Sequence, residues 1–167
     1  MALKSDSQKK LIDSIHKSGE ASPGLLFWRS FNNWQRRIRN ALEAHDLTQV
    51  QYSIMAAVFY LGSDGTLVTQ QGVANALVMD KMMVSDVIKI LLKKKNLLRQ
   101  PHPDDARAYA LSLSSIGKKT LKLSVPLVES IDEEFFRSVG THYSHFFQGL
   151  KILANLKTED THPLHSE

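Results

Sequence analysis

Thr69–Leu113 reads TQQGVANALVMDKMMVSDVIKILLKKKNLLRQPHPDDARAYALSL, and its periodicity changes partway through. Thr69 is placed to cap a short helix, Gln70 to Leu77, that turns Val73 and Leu77 inward. After a brief turn at Val78-Met79, Asp80 caps a second helix running from Lys81 to about Lys95. There Val84, Val87, Ile88 and Leu91 form an inward stripe, while Met82, Ser85, Asp86, Lys89 and Lys93 recur at i, i+3, i+4, i+7 and i+11 on one outward face. Asn96 is the expected left-handed cap of that helix. The period then drops to two, so Leu97 to His102 and Ala108 to Leu113 are predicted as the strands of a hairpin with its tip at Pro103–Arg107. Pro101 and Pro103 cannot donate to a ladder, which puts the first strand at a sheet edge.

Upstream, Leu47-Thr48-Gln49-Val50-Gln51-Tyr52 carries a complete helix start. Thr48 and Gln51 suit a reciprocal capping box, and Leu47 and Tyr52 a hydrophobic staple. This helix is expected through Met55 and Val58 to about Leu61, with Gly62–Gly65 ending it. Ser22-Pro23 opens an earlier helix, in which Phe27, Phe31, Trp34, Ile38 and Ala41 share helical spacing. Residues 1–22 show only a weak stripe at Leu11, Ile12 and Ile15. Downstream, Ser114-Ser115-Ile116-Gly117 begins a long helix with a stripe of Ser124, Leu127/Val128, Ile131 and Phe135 and a kink expected at Pro126. Gly140 is expected to stop it and Thr141 to cap a last helix bearing Tyr143, Phe146/Phe147, Leu150 and Leu153. The fold class that follows is mainly α with a small antiparallel β-hairpin wing: a winged helix-turn-helix over 47–114, helical dimerisation segments at 23–46 and 115–157, a partly helical extension at 1–22 and a tail at 158–167.

Composition narrows the possible functions. Of 167 residues 43% are apolar, enough for a core, yet no run approaches the roughly 18 apolar residues that a membrane span needs. The first residues hold no apolar block ahead of a small-residue cleavage site, so a cytoplasmic location is expected. Cysteine is absent, which excludes disulfides, thiolate metal sites and cysteine nucleophiles. Net charge is only +4, but Lys81–Lys122 holds ten basic side chains against three acids, a local +7 that leaves −3 elsewhere. Such concentration within a patterned segment favours a polyanionic partner.

The order helix, short helix, tight turn, amphipathic helix and hairpin suits double-stranded DNA, because a helix fits the major groove and a helix-turn-helix delivers its second helix there. On that face Ser85 can hydrogen-bond bases or phosphates, Asp86 can accept from cytosine N4, and Met82 can touch a thymine methyl. Lys81, Lys89 and Lys93 can hold phosphates or guanine edges. Thr69 and Gln70 start the first helix of the pair. At the hairpin tip Arg107 suits a neighbouring narrow minor groove, and Asp105 can pair with it and fix its direction.

The strings LTQVQYSIMAAV, TQQGVANAL, DKMMVSDVIKILLKKKNLL and HPDDARAYALSLSSIGKK resemble the MarR family of transcription regulators over nearly the full chain. The resemblance implies that Asp105 and Arg107 are wing salt-bridge partner and minor-groove arginine, and that Ser85 occupies a base-contacting position. It also implies a triangular homodimer and an effector pocket between the dimer helices and the DNA-binding lobe, on this chain near Phe27, Phe31, Trp34, Met55 and Phe59. The effector would be a small aromatic or amphipathic molecule, and no cofactor or metal is expected. Asp86 departs from a frequent Arg, Ala106 from a frequently basic residue, and Asn96 from the usual Gly. The alternative is a winged-helix protein-interaction or dimerisation module that binds no DNA.

Other motifs carry little. Ser115-Ile116-Gly117-Lys118 matches Ser-x-x-Lys without the partner motifs of the serine acyl-enzymes. Asp104 and Asp105 diverge on a turn rather than converge on a bond. His142 and His145 lie one helical turn apart, without a neighbour in sequence to complete a metal set.

Overall fold

The computed structural model describes residue 16, residues 19–103 and residues 107–155. The stripe at Leu11, Ile12 and Ile15, the wing-tip residues Asp104, Asp105 and Ala106, and the tail at 158–167 lie outside the described residues. The helices are α1 (Pro23–Glu43), α2 (Gln49–Leu61), α3 (Gln70–Leu77), α4 (Lys81–Lys93), α5 (Ser115–Arg137) and α6 (Tyr143–Leu153). The strands are β1 (Val68–Thr69), β2 (Leu97–Pro101) and β3 (Tyr109–Leu113).

The chain divides into two compact units, residues 1–37 and 38–167. In the first, Ser22 caps the start of α1 by accepting from the Leu25 amide at 3.4 Å. Phe31 and Trp34, one turn apart, pair at 6.0 Å between ring centroids, while Phe27 and Trp28 stay largely exposed.

The second unit carries the core. Ile38, Leu42, Ile54, Met55, Val73, Val84 and Leu91 are all essentially solvent-free. At the start of α2 the capping box forms in both directions: the Gln51 amide donates to Thr48 Oγ1 and the Thr48 amide to Gln51 Oε1, each at 3.2 Å. Thr69 Oγ1 accepts from the Gly72 amide at 3.1 Å to start α3, and Ser114 Oγ from the Gly117 amide at 2.9 Å to start α5.

The sheet is antiparallel with strand order β1-β3-β2. Leu97 pairs with Leu113 and Pro101 with Tyr109, so β2 lies at an edge where its proline costs no ladder bond. The wing is therefore more than a hairpin. Val68 and Thr69 add a short third strand opposite Leu111 and Ala110, too brief to show a period in sequence.

Several details differ from expectation. Lys95 (φ 60°) takes the left-handed position, not Asn96. Asn96 is buried, with its carbonyl accepting from the Ser114 amide at 3.1 Å, so it joins α4 to α5. Leu77 is half-buried and Ala74 takes the inner place on α3. Leu121 joins Ser124 and Val128 on the inner face of α5. That helix ends at Arg137, ahead of Gly140, which opens a 3-10 turn (Gly140–His142). His142, not Thr141, stands at the start of α6, with no side-chain cap.

Candidate nucleic-acid interface

The interface is built from the α3–turn–α4 pair and the two longer strands. Val78 closes α3 in the left-handed conformation (φ 51°), and the Met79 amide then donates to the Ala74 carbonyl at 2.9 Å. This reverses the chain within three residues. Asp80 then accepts from the Met82 and Met83 amides at 2.8 and 3.0 Å, satisfying donors that a helix start leaves unpaired. Gln70 Nε2 donates to the Lys81 carbonyl at 3.2 Å, tying the first turn of α3 to the first residue of α4.

Core packing sets the roll of α4. Val84, Ile88 and Leu91 are buried, which leaves Met82, Asp86, Lys89 and Lys93 exposed and Ser85 half-buried at the edge of that face. Lys89 and Asp86 pair at 2.9 Å with both side chains about two-thirds exposed, so the pair contributes little to stability. It does hold the ammonium on the helix surface.

Between α4 and the wing runs a concavity of about 400 Å³. Thr69, Gln70 and Gln71 line it at the start of α3, Lys81, Ser85 and Lys89 along α4, and Arg99, Arg107 and Tyr109 on the wing. Ile88, Leu92 and Leu111 supply its apolar part. Six residues singled out from sequence thus meet in one place: Thr69, Gln70, Lys81, Ser85, Lys89 and Arg107. Met82, Asp86 and Lys93 lie on the exposed face of the same helix, outside this concavity. The described lining includes four cationic side chains and no carboxylate, so it attracts anions.

Gln71, Arg99 and Tyr109 are the residues that sequence reasoning missed. The Arg99 guanidinium lies 4.7 Å from the centre of the Tyr109 ring, which fixes a long side chain at the groove wall. The strand pattern contained the signal: in the hairpin register Arg99 faces Leu111 and Tyr109 lies two residues along.

One lysine of the basic segment is turned to another use. Lys94 Nζ donates to the Asp46 carbonyl at 2.5 Å and to Gln51 Oε1 at 3.3 Å, and pairs with Asp46 Oδ2 at 3.0 Å. It anchors the end of α4 to the start of α2.

The five residues expected at an effector pocket fall into different surroundings. Phe27, Phe31 and Trp34 belong to the first unit and Phe59 is half-exposed in the second. Met55 is fully buried in the core, because α2 turns it inward with Ile54 and Val58. Phe59 lines a separate concavity of about 380 Å³ with Ser63, Thr66, Leu67, Leu113 and Lys118. His142 and His145 are exposed, and among the described residues no three His, Asp or Glu side chains converge as metal ligands. No helix among the described residues is long and apolar enough to cross a membrane.

No protein-family model matches the chain. An uncharacterized HTH-type transcriptional regulator of Bacillus subtilis, YdcH, is 37% identical over 132 residues, covering 79% of this chain and 89% of that protein. Among solved structures, Bordetella bronchiseptica BpsR, described with regulation of its DNA binding by 6-hydroxynicotinic acid, superposes with a TM-score of 0.74 at 20% identity, over 87% of this chain and all of that one. Escherichia coli MarR complexed with operator DNA superposes with a TM-score of 0.69 at 18% identity, over 81% and 96%. The two structures bear on the fold; the relative bears on the family.

Proposed function

Because the chain belongs to the MarR family of DNA-binding transcription regulators, we propose that it acts in the cytoplasm as a homodimer reading a two-fold symmetric duplex. Each α4 lies in a major groove, with Met82, Ser85 and Asp86 toward base edges and Lys81, Lys89 and Lys93 toward phosphates or guanine. Arg107, on the exposed end of the wing, enters the adjoining minor groove, with Asp105 directing it. Thr69 and Gln70 hold the start of the helix pair against the backbone. Arg99, braced on Tyr109, adds a phosphate contact. The observation that carries this reading is the cationic concavity shared by α4 and the wing.

Regulation by a small aromatic or amphipathic effector is part of the proposal. BpsR is described with such control by 6-hydroxynicotinic acid. An effector acts only through its different affinity for the DNA-competent and incompetent states.

Selection of bound sequences from a random duplex pool tests the reading. The expected product is a pseudo-palindrome with half-sites about one helical turn apart, roughly 34–36 Å. An unenriched pool, or binding indifferent to salt, overturns it and favours a protein-interaction module.

A further inference from the structure

We propose that the methionines heading α4 are an oxidation switch: hypohalous acid converts Met82 and Met83 to sulfoxides and so lowers affinity for operator DNA. This rests on α4 being the DNA-reading helix. The chain has five methionines and no cysteine, and three of the five, Met79, Met82 and Met83, fall within five residues at the turn and first turn of α4. Met82 is 74% exposed and Met83 53%, whereas Met55 in the core is fully buried. Val78, in the turn ahead of them, is 89% exposed.

The backbone beneath these thioethers is fixed. Asp80 accepts from both amides, so the two side chains leave a rigid first turn rather than a loop. The first residues of a recognition helix are the ones that meet base edges, and an apolar side chain there packs on a thymine methyl. Exposure to oxidant and contact with DNA therefore coincide at one place. In net terms each sulfur gives up two electrons and one S–O bond forms as the O–Cl bond of hypochlorous acid breaks. Chloride leaves with that bond's electron pair, and the hydroxyl proton is released. The product is a polar, chiral sulfoxide where an apolar chain stood, and methionine sulfoxide reductases reverse it. Nothing in the reaction requires a thiol, which suits a chain without cysteine.

If the two thioethers lie against base edges, bound DNA should also shield them from the oxidant and slow their oxidation. The test takes the full chain and its selected operator, titrates in hypochlorite, and follows each methionine by peptide mass spectrometry alongside gel-shift affinity. Expected are one added oxygen at Met82 and at Met83 before Met55, slower addition when operator is bound, and affinity falling roughly ten-fold or more, as for loss of one base-pair contact. Methionine sulfoxide reductases should restore it. The double variant Met82→Leu with Met83→Leu, judged against its own untreated affinity, should lose none. Unchanged affinity once both residues are sulfoxides overturns the switch, as does an equal loss in the double variant. Untreated protein that binds no duplex overturns the DNA reading and the switch with it.

Discussion

Two residues show how far a side chain's neighbours decide its part. Lys89 on α4 and Lys94 just past its end sit five apart, yet Lys89 is exposed beside Asp86 while Lys94 is spent on Asp46 and Gln51. Lys89→Gln should therefore reduce the slope of log affinity against log salt by about one, since one phosphate contact is lost. Lys94→Gln should leave that slope unchanged and lower the unfolding midpoint instead. A reduced slope in the Lys94 variant would assign that lysine to DNA. Val78 is a further case, a β-branched residue at φ 51° whose conformation costs roughly 1–2 kcal/mol. Because it is almost wholly exposed, Val78→Asn forfeits no burial and should raise the thermal midpoint by about 2–4 °C per kcal/mol regained. A fall in the midpoint would mean that the valine packs where it looks free. At this scale the sequence was legible where the interaction is local: the caps at Thr48, Thr69 and Asp80 all formed as read. It was not legible where a partner far along the chain decides. Asn96 was assigned a cap that Lys95 takes, because its carbonyl is needed by Ser114 on another element.

Between elements, the junction of α4, β2 and α5 is tightly closed. A Cβ on Gly117 would collide with the Asn96 carbonyl oxygen and lie 2.9 Å from its carbon, both backbone atoms that cannot step aside. Gly117→Ala should destabilise by about 3 kcal/mol or more, the range expected of overpacking and strain. Denaturant unfolding measures it, and a loss under about 1 kcal/mol would mean that α5 slides freely past α4. The α2–α5 contact has a titratable witness in Tyr52. Burial first, then Tyr60, Asp132 and Glu129, push its hydroxyl up from 10.0 to about 12. The folded state thus holds this proton more tightly than the unfolded chain, so the contribution is intact below about pH 10 and is lost as pH rises through about 12. Since the ring is only partly buried, solvent screening limits it to roughly 1 kcal/mol. Tyr52→Phe should accordingly lose less stability than wild type across that window, and equal losses would show the hydroxyl to be solvated. Among elements, the helices and longer strands were readable because each carries its own period. Strand β1, two residues long, has none and exists only because β3 offers it a free edge.

For the proposed dimer as a whole, one reading head would account for only half of operator recognition. One concavity with four cations can hold a few phosphates, and a single half-site gives modest affinity at physiological salt. In that dimer symmetry would multiply it, because the second head would bind at the high effective concentration set by the first. The surface available for pairing includes α6, where Ile152 is 64% and Leu153 75% exposed, with Phe146 and Phe147 also substantially open. That these side chains are apolar was legible from the helical stripe; which of them a second copy covers was not, since a sequence period marks a face without naming its partner. If α6 joins two copies, the double variant Ile152→Asp with Leu153→Asp should sediment as a monomer while keeping its helical circular dichroism, because neither residue contributes to the core. Its affinity for the full operator should fall by roughly 10²–10⁴, the avidity that linkage provides, whereas its affinity for an isolated half-site should stay unchanged. The half-site measurement separates the two causes: loss on both duplexes would mean that the substitutions disturb the head, and loss on neither would place the dimer contact elsewhere.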